Sequence, residues 1–164
     1  MTTIRHATPE DASAIADIWN PYIRDTAVTF NRVERRPEDV AGLMTARAER
    51  DWPWLVAEEE GGGILGFATY AQFRTGAGYA HTMEHTIILG PDAGGRGAAR
   101  ALVRALVDHA RARGVHVLVG CVSAENDAGL AFHERFGFRE AGRIREAGRK
   151  FDRWMDLVIF ELVI

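Results

Sequence analysis

The sequence predicts a single α/β domain, residues 1–164, built on a mixed sheet. Three observations carry this reading. Segments with strand-like and helix-like apolar periods alternate along the chain. Antiparallel hairpins precede the longest helical stretch. That stretch, Ala98 to Arg113, lies between two β-branched strands, as in a right-handed β-α-β crossover. The order read is β-α-α-β-β-β-α-β-α-β-β.

Thr3 to Ala7 reads as a short first strand. Thr8-Pro9-Glu10-Asp11 has the signature of a helix start, with Thr8 as N-cap and Pro9 in the first turn. Ala12, Ile15, Ala16 and Trp19 form the apolar stripe that follows, and Asn20-Pro21 ends or breaks the helix. Pro37 to Arg50 is a second helix with Val40, Leu43 and Met44 inward. Trp54 to Ala57 is a strand, Glu58 to Gly63 an exposed turn, and Ile64 to Phe73 the hairpin partner. Thr82 to Leu89 is rich in β-branched residues. Gly90 to Gly97 is a glycine-rich loop, and Gly114 caps the helix that follows it. Val115 to Val122 reads as a strand buried on both faces. Asn126 to Phe136 is a short helix ending at Gly137. Two strands close the chain, near Phe138 to Ile144 and Trp154 to Val163.

Composition excludes several classes. Apolar residues at 47% and charged residues at 26% fit an ordinary globular domain. A net charge of −3 gives no global basic field for nucleic acid. The first residues lack the apolar run of a signal peptide, and no uncharged stretch would span a bilayer, so the expected compartment is the cytoplasm. Cys121 is the one cysteine, which excludes an internal disulfide and is expected in the core. His81 and His85 bring no third ligand, so no metal is expected. The basic run Arg139, Arg143, Arg145, Arg149 and Lys150 reads as a solvated face, part of which could meet a phosphate.

Strand, glycine loop and helix together make a phosphate-binding arrangement. Glycines let the backbone approach an anion, and the first helical turn offers unpaired N–H groups and the positive end of the helix dipole. The loop is Gly94-Gly95-Arg96-Gly97-Ala98-Ala99, with Arg96 adding charge. A plain turn is the alternative. A dinucleotide fingerprint fits poorly, because the second strand ends in Val119-Gly120-Cys121-Val122 with no acid at its tip.

The loop resembles the Q/R-x-x-G-x-G/A pyrophosphate motif of the GCN5-related N-acetyltransferase superfamily, matching at Gly97 and Ala99 and departing at Gly94. A second motif is more specific. Asn126-Asp127-Ala128-Gly129-Leu130-Ala131-Phe132-His133-Glu134-Arg135-Phe136-Gly137-Phe138 is similar to the family's N-x-x-A/S-x-x-(L/F)-Y/H-E-x-x-G-F helix, with Gly129 replacing its Ala or Ser. Ile18-Trp19-Asn20, Thr26 to Phe30, Met83 to Ile87 and Gly148 to Asp156 resemble the phosphinothricin acetyltransferase branch.

The resemblance implies an acyl-CoA N-acyltransferase fold, acetyl-CoA as co-substrate, and a homodimer. It implies acetylation of the α-amine of phosphinothricin, methionine sulfoximine or methionine sulfone. Acylation of a protein N-terminus or lysine, or acyl-CoA binding without catalysis, are the alternatives. An amine attacks a thioester only when neutral, so a base is needed. By resemblance Glu84 is that base, directly or through a water. A backbone N–H on the cofactor strand Ile87-Ile88-Leu89 would stabilise the thioester oxygen, with Ile88 the candidate. Gly94 to Ala99 would hold the pyrophosphate, and Asn126 the pantetheine arm as well as capping its helix. His133 would lie near the cofactor, as an acid toward the leaving thiolate or as a structural residue. Val28 and Phe30 would wall the substrate pocket, or pack in a core or dimer contact. Arg74 would bind the substrate anion through its guanidinium fork. The small residues from Arg74 to Ala80 read as a flexible lid.

Overall fold

A computed structural model describes residues 2–164. The elements are β1 (Thr2–His6), α1 (Ala12–Asp25), α2 (Pro37–Ala48), β2 (Trp54–Glu59), β3 (Ile64–Gln72), β4 (Thr82–Leu89), α3 (Ala98–Ala112), β5 (Val117–Ser123), α4 (Asp127–Arg135), β6 (Arg139–Lys150) and β7 (Arg153–Val163). The order is the one the sequence predicts. Among the described residues, no helix is long and apolar enough to cross a membrane.

The chain divides into two compact units. The first comprises the residues up to Asn20, Arg35–Ala71 and His85–Gly114; the second comprises Pro21–Glu34, Gln72–Glu84 and Val115–Ile164. The seven strands make a mixed sheet, with β1-β2-β3-β4 as neighbours in the first unit and β4-β5-β7-β6 in the second.

In the first unit, β1, β2 and β3 pair antiparallel, and Ile4 lies opposite Ala57. Ile15, Val56, Phe67, Leu102 and Leu106 are buried in the core. Trp19, Trp54 and Phe67 form an aromatic cluster with ring centroids 5.1 to 6.3 Å apart, the spacing that aromatic quadrupoles favour. Arg5 ties the start of the chain to this unit. It donates to both oxygens of Asp11, at 2.7 and 2.8 Å, and to both oxygens of Glu58. The Arg5 guanidinium holds both carboxyls below their usual range.

In the second unit, β4 and β5 run parallel, with Glu84 beside Val119. The antiparallel partners β7 and β6 follow, and Leu118, Met155, Val158 and Phe160 are buried.

The largest differences from the sequence reading fall at two boundaries; several others shift by one to three residues. The first helix does not end at Asn20-Pro21 but continues to Asp25 with Pro21 inside it. Proline removes one helical donor, but Ile23, one turn beyond Trp19, is fully buried and extends the apolar stripe. The strand expected to stop at Ile144 continues to Lys150. Its second half alternates charges and small residues and is mostly exposed, so no apolar period announced it.

Candidate active site

Strand alternation places Glu84, Thr86 and Ile88 on one half-buried face of β4, while Met83 and His85 are buried on the other. Glu84 lies in the second unit. Its neighbour there is Cys121, two residues beyond its register partner Val119 on β5. Cys121 is half-buried, less enclosed than the core position expected for it. Burial and the Glu84 carboxylate push its thiol up to about 12.

Ile87, Ile88 and Leu89 lie in the first unit with the glycine loop. At Gly66 on β3 a side chain would collide with the Ile88 carbonyl and with Leu89. The sheet is therefore closed tightly under the strand that leads into the loop. Gly94 to Gly97 are exposed, and Gly95 and Gly97 have φ of 72° and 74°. Nothing lies within 4 Å of where a Cβ on Gly94, Gly95 or Gly97 would sit. Gly97 is the N-cap of α3 and has no side chain to satisfy the first-turn N–H groups. Ala98 is buried and Ala99 half-buried, anchoring the helix start. This arrangement fits a pyrophosphate: open backbone donors, a helix dipole and room above them. Arg96 forms an ion pair with Glu59 at the β2–β3 turn, and its carbonyl accepts from Thr2 Oγ1 at 2.9 Å.

Asn126 caps α4. Its Oδ1 accepts the Gly129 N–H at 2.9 Å. His133, one turn further on, is buried, with its ring stacked on Phe160 at 5.0 Å and edge-on to Phe138. Its Nδ1 lies 2.7 Å from the Gly129 carbonyl. A carbonyl only accepts, so Nδ1 carries the proton. Burial lowers the imidazole pKa, and the Gly129 bond only partly opposes that.

Val28 and Phe30 are half-buried in the irregular segment after α1. Phe30 packs its ring on the backbone of Gly148 in β6. Arg74 lies over the Tyr79 ring at 5.7 Å. The expected lid contains a short 3-10 turn, Ala77–Tyr79, and Gln72 Nε2 braces it by donating to the Arg74 and Gly76 carbonyls at 2.8 Å.

The structure thus brings Glu84 to Cys121, Asn126 to His133 on one helix, and Phe30 to β6 within the second unit. In the first unit it joins Ile87–Leu89 to the loop. Sequence reasoning missed Gly66, Gly148 and Lys150. A glycine inside a strand pattern signals close backbone approach. That signal was available for Gly66, within the strand predicted from Ile64 to Phe73, but not for Gly148, which lies beyond the predicted end of its strand.

A glycine loop opening a helix after a strand is an anion-binding arrangement. Comparison with known proteins assigns its family. Residues 4–159 match the acetyltransferase (GNAT) domain family. The L-methionine sulfoximine/L-methionine sulfone acetyltransferase of Pseudomonas paraeruginosa is 35% identical over 98% of this chain and 93% of its own. The phosphinothricin N-acetyltransferase of Streptomyces coelicolor is 34% identical over 96% of this chain and 94% of its own. A Salmonella typhimurium acetyltransferase structure with its cofactor acetyl-CoA superposes with a TM-score of 0.92 at 33% identity, covering 99% of this chain and 93% of that one. The chain belongs to the GNAT family and is an acetyl-CoA-dependent N-acetyltransferase.

Proposed function

We propose that this enzyme acetylates the α-amine of a small amino-acid-like substrate of the methionine sulfoximine, methionine sulfone or phosphinothricin kind, with Glu84 as general base. The observation that carries the substrate class is the full-length similarity to relatives named for those substrates. The half-buried position of Glu84 on the strand leading into the loop supports its role.

The thioester of acetyl-CoA supplies the electrophile. Gly94, Gly95, Arg96, Gly97, Ala98 and Ala99 hold its pyrophosphate through backbone N–H groups and the start of α3. The Asn126 amide nitrogen holds the pantetheine arm. Glu84 takes one proton of the substrate ammonium, and the neutral amine forms the C–N bond to the thioester carbon. The Ile88 N–H stabilises the charge that develops on the thioester oxygen. As the C–S bond breaks, CoA leaves as a thiolate that takes up the second proton shed by the amine nitrogen. Val28 and Phe30 wall the side-chain pocket, and Arg74 anchors the substrate anion. We read His133 as a structural residue that fixes α4: its proton is committed to the Gly129 carbonyl, so Nε2 of the neutral ring accepts rather than donates. The working form is proposed as a homodimer, a reading supported by exposed Ile144, Phe151 and Trp154 on β6, β7 and their turn.

The test is thiol release from acetyl-CoA with methionine sulfoximine, methionine sulfone and phosphinothricin. Turnover with at least one is expected. Acetylation of peptides with none of the free amino acids would overturn the substrate class. Glu84→Gln is expected to lower kcat by about 10²-fold or more, the range of general-base contributions. An unchanged rate at every pH would remove Glu84 from the mechanism.

A further inference from the structure

The basic run at the end of β6 is not uniformly solvated. Arg149 is exposed, but Gly148 and Lys150, two apart and so on one face, are buried. Lys150 Nζ donates to the main-chain carbonyls of Thr26 at 2.5 Å, Thr29 at 2.8 Å and Tyr22 at 3.4 Å. An ammonium has three N–H donors, so donors and acceptors match one for one. Tyr22 lies in the last turn of α1, where the helix dipole is negative, and its carbonyl also accepts from Thr26 Oγ1 at 2.7 Å. Thr26 and Thr29 lie in the stretch from 26 to 36, which forms no helix or strand of its own. One buried cation therefore joins the end of a helix to the irregular segment that follows it. Gly148 meets the same segment, since a side chain there would overlap the Phe30 ring.

The position of Lys150 is fixed by an unusual turn. β6 and β7 are joined by Phe151 and Asp152, with φ of 52° and 57°, and Lys150 pairs with Arg153 across it. Two residues with positive φ form the tight hairpin connection that fixes strand register. Neither is glycine, and a bulky residue such as Phe151 is strained in that region.

We propose that Lys150, with Gly148 beside it, is the positioning residue for the amine-binding segment Thr26–Phe30. It touches no reacting group. It holds the backbone from which Val28 and Phe30 project, and so sets the shape offered to the amine. This rests on the function proposed above. Lysine suits the task because its compact ammonium directs three donors around one atom, whereas the planar arginine fork cannot converge on three carbonyls.

The test compares wild type, Lys150→Met, Lys150→Arg and Gly148→Ala, with steady-state kinetics on methionine sulfoximine and hydrogen exchange of the amides from 26 to 31. In both Lys150 variants the amine KM is expected to rise at least about tenfold, as loss of charge-assisted bonds implies. The acetyl-CoA KM should stay within about twofold in the same variants, because the lost bonds reach only Tyr22, Thr26 and Thr29. Exchange from 26 to 31 should accelerate while α3 is unchanged. Gly148→Ala keeps the ammonium and displaces Phe30, so it should change amine KM alone even if a Lys150 variant folds poorly. Equal rises in both KM values, or faster exchange with an unchanged amine KM, would reduce Lys150 to a structural support and overturn the proposal. Absence of wild-type turnover on any free amino acid sinks the proposed function instead. Exchange then reads the clamp by itself, and unchanged protection in Lys150→Met overturns it.

Discussion

The Asn126 side-chain oxygen accepts the Gly129 N–H at 2.9 Å, and a side chain on Gly129 would occupy the space that the Asn126 amide fills. The two residues are one device. Gly129 stands where the family motif has Ala or Ser, and its missing Cβ is what admits this Asn126 conformation. With Oδ1 committed to capping, the amide nitrogen is the group left for the pantetheine contact proposed above. Gly129→Ala would displace the cap, a loss of about 1 kcal/mol. It would also gain helix propensity of about the same size. Thermal stability should therefore change little. The acetyl-CoA KM should rise about three- to tenfold, as for one lost hydrogen bond. A steady-state titration of acetyl-CoA at saturating amine checks this. An unchanged KM would show that the arm does not need Asn126 in this position.

His133 offers a pH signature. Burial holds its pKa below the ordinary histidine value of about 6.5, while the unfolded chain keeps that value. Between the two the unfolded state binds more protons, so stability rises with pH through that window and is lost as pH falls. His109 is shifted the same way, by burial and by His6 and Arg113. The melting temperature should fall from pH 7.5 to pH 5, and His133→Phe should flatten part of that slope. The phenyl ring would still stack on Phe160 and Phe138. The same variant tests the structural role proposed for His133. Its kcat should stay within about threefold of wild type, whereas a loss on the order of 10²-fold would make His133 the acid.

Much of the fold was legible because local chemistry and tertiary context agreed. The helix between Gly97 and Gly114 combines an open N-cap, a regular apolar stripe and a glycine stop. Asn126 was legible as an N-cap, and its Oδ1 does accept the Gly129 N–H at the start of α4. What failed depended on partners distant in sequence. Pro21 reads as a stop until the burial of Ile23 is known. Lys150 reads as solvated until the carbonyls of Thr26 and Thr29, more than a hundred residues earlier, close around it. Arg96 reads as a free phosphate ligand until Glu59, 37 residues away, appears beside it.

Cys121 should be chemically silent in the folded enzyme. A thiol pushed up to about 12 is ionised at pH 8 to only about one part in 10⁴, and the thiolate is the reactive form. A disulfide reagent should titrate almost no thiol in the native protein and one per chain after denaturation, the chain having a single cysteine. Rapid native labelling would contradict the placement of Cys121 beside Glu84. The same silence makes thiol release from acetyl-CoA a clean assay, since the enzyme contributes no background.

The ion pair between Arg96 and Glu59 sets up a competition on the cofactor loop. Both side chains are more than a third exposed, 47% and 36%, so the pair is weak and screened by salt. A phosphate near the loop would draw on the same guanidinium. Glu59→Gln removes the internal competitor and leaves the Thr2 bond to the Arg96 carbonyl in place. The acetyl-CoA KM should fall about two- to fivefold at low ionic strength, with the gain shrinking in 0.5 M salt. Arg96→Ala should raise it and make Glu59→Gln silent in the double variant, since a cycle in which one partner is gone has no coupling left to lose. A Glu59→Gln enzyme with unchanged KM at both salt concentrations would mean that Arg96 does not meet the phosphate, leaving the backbone N–H groups from Gly94 to Ala99 as the whole of the anion site.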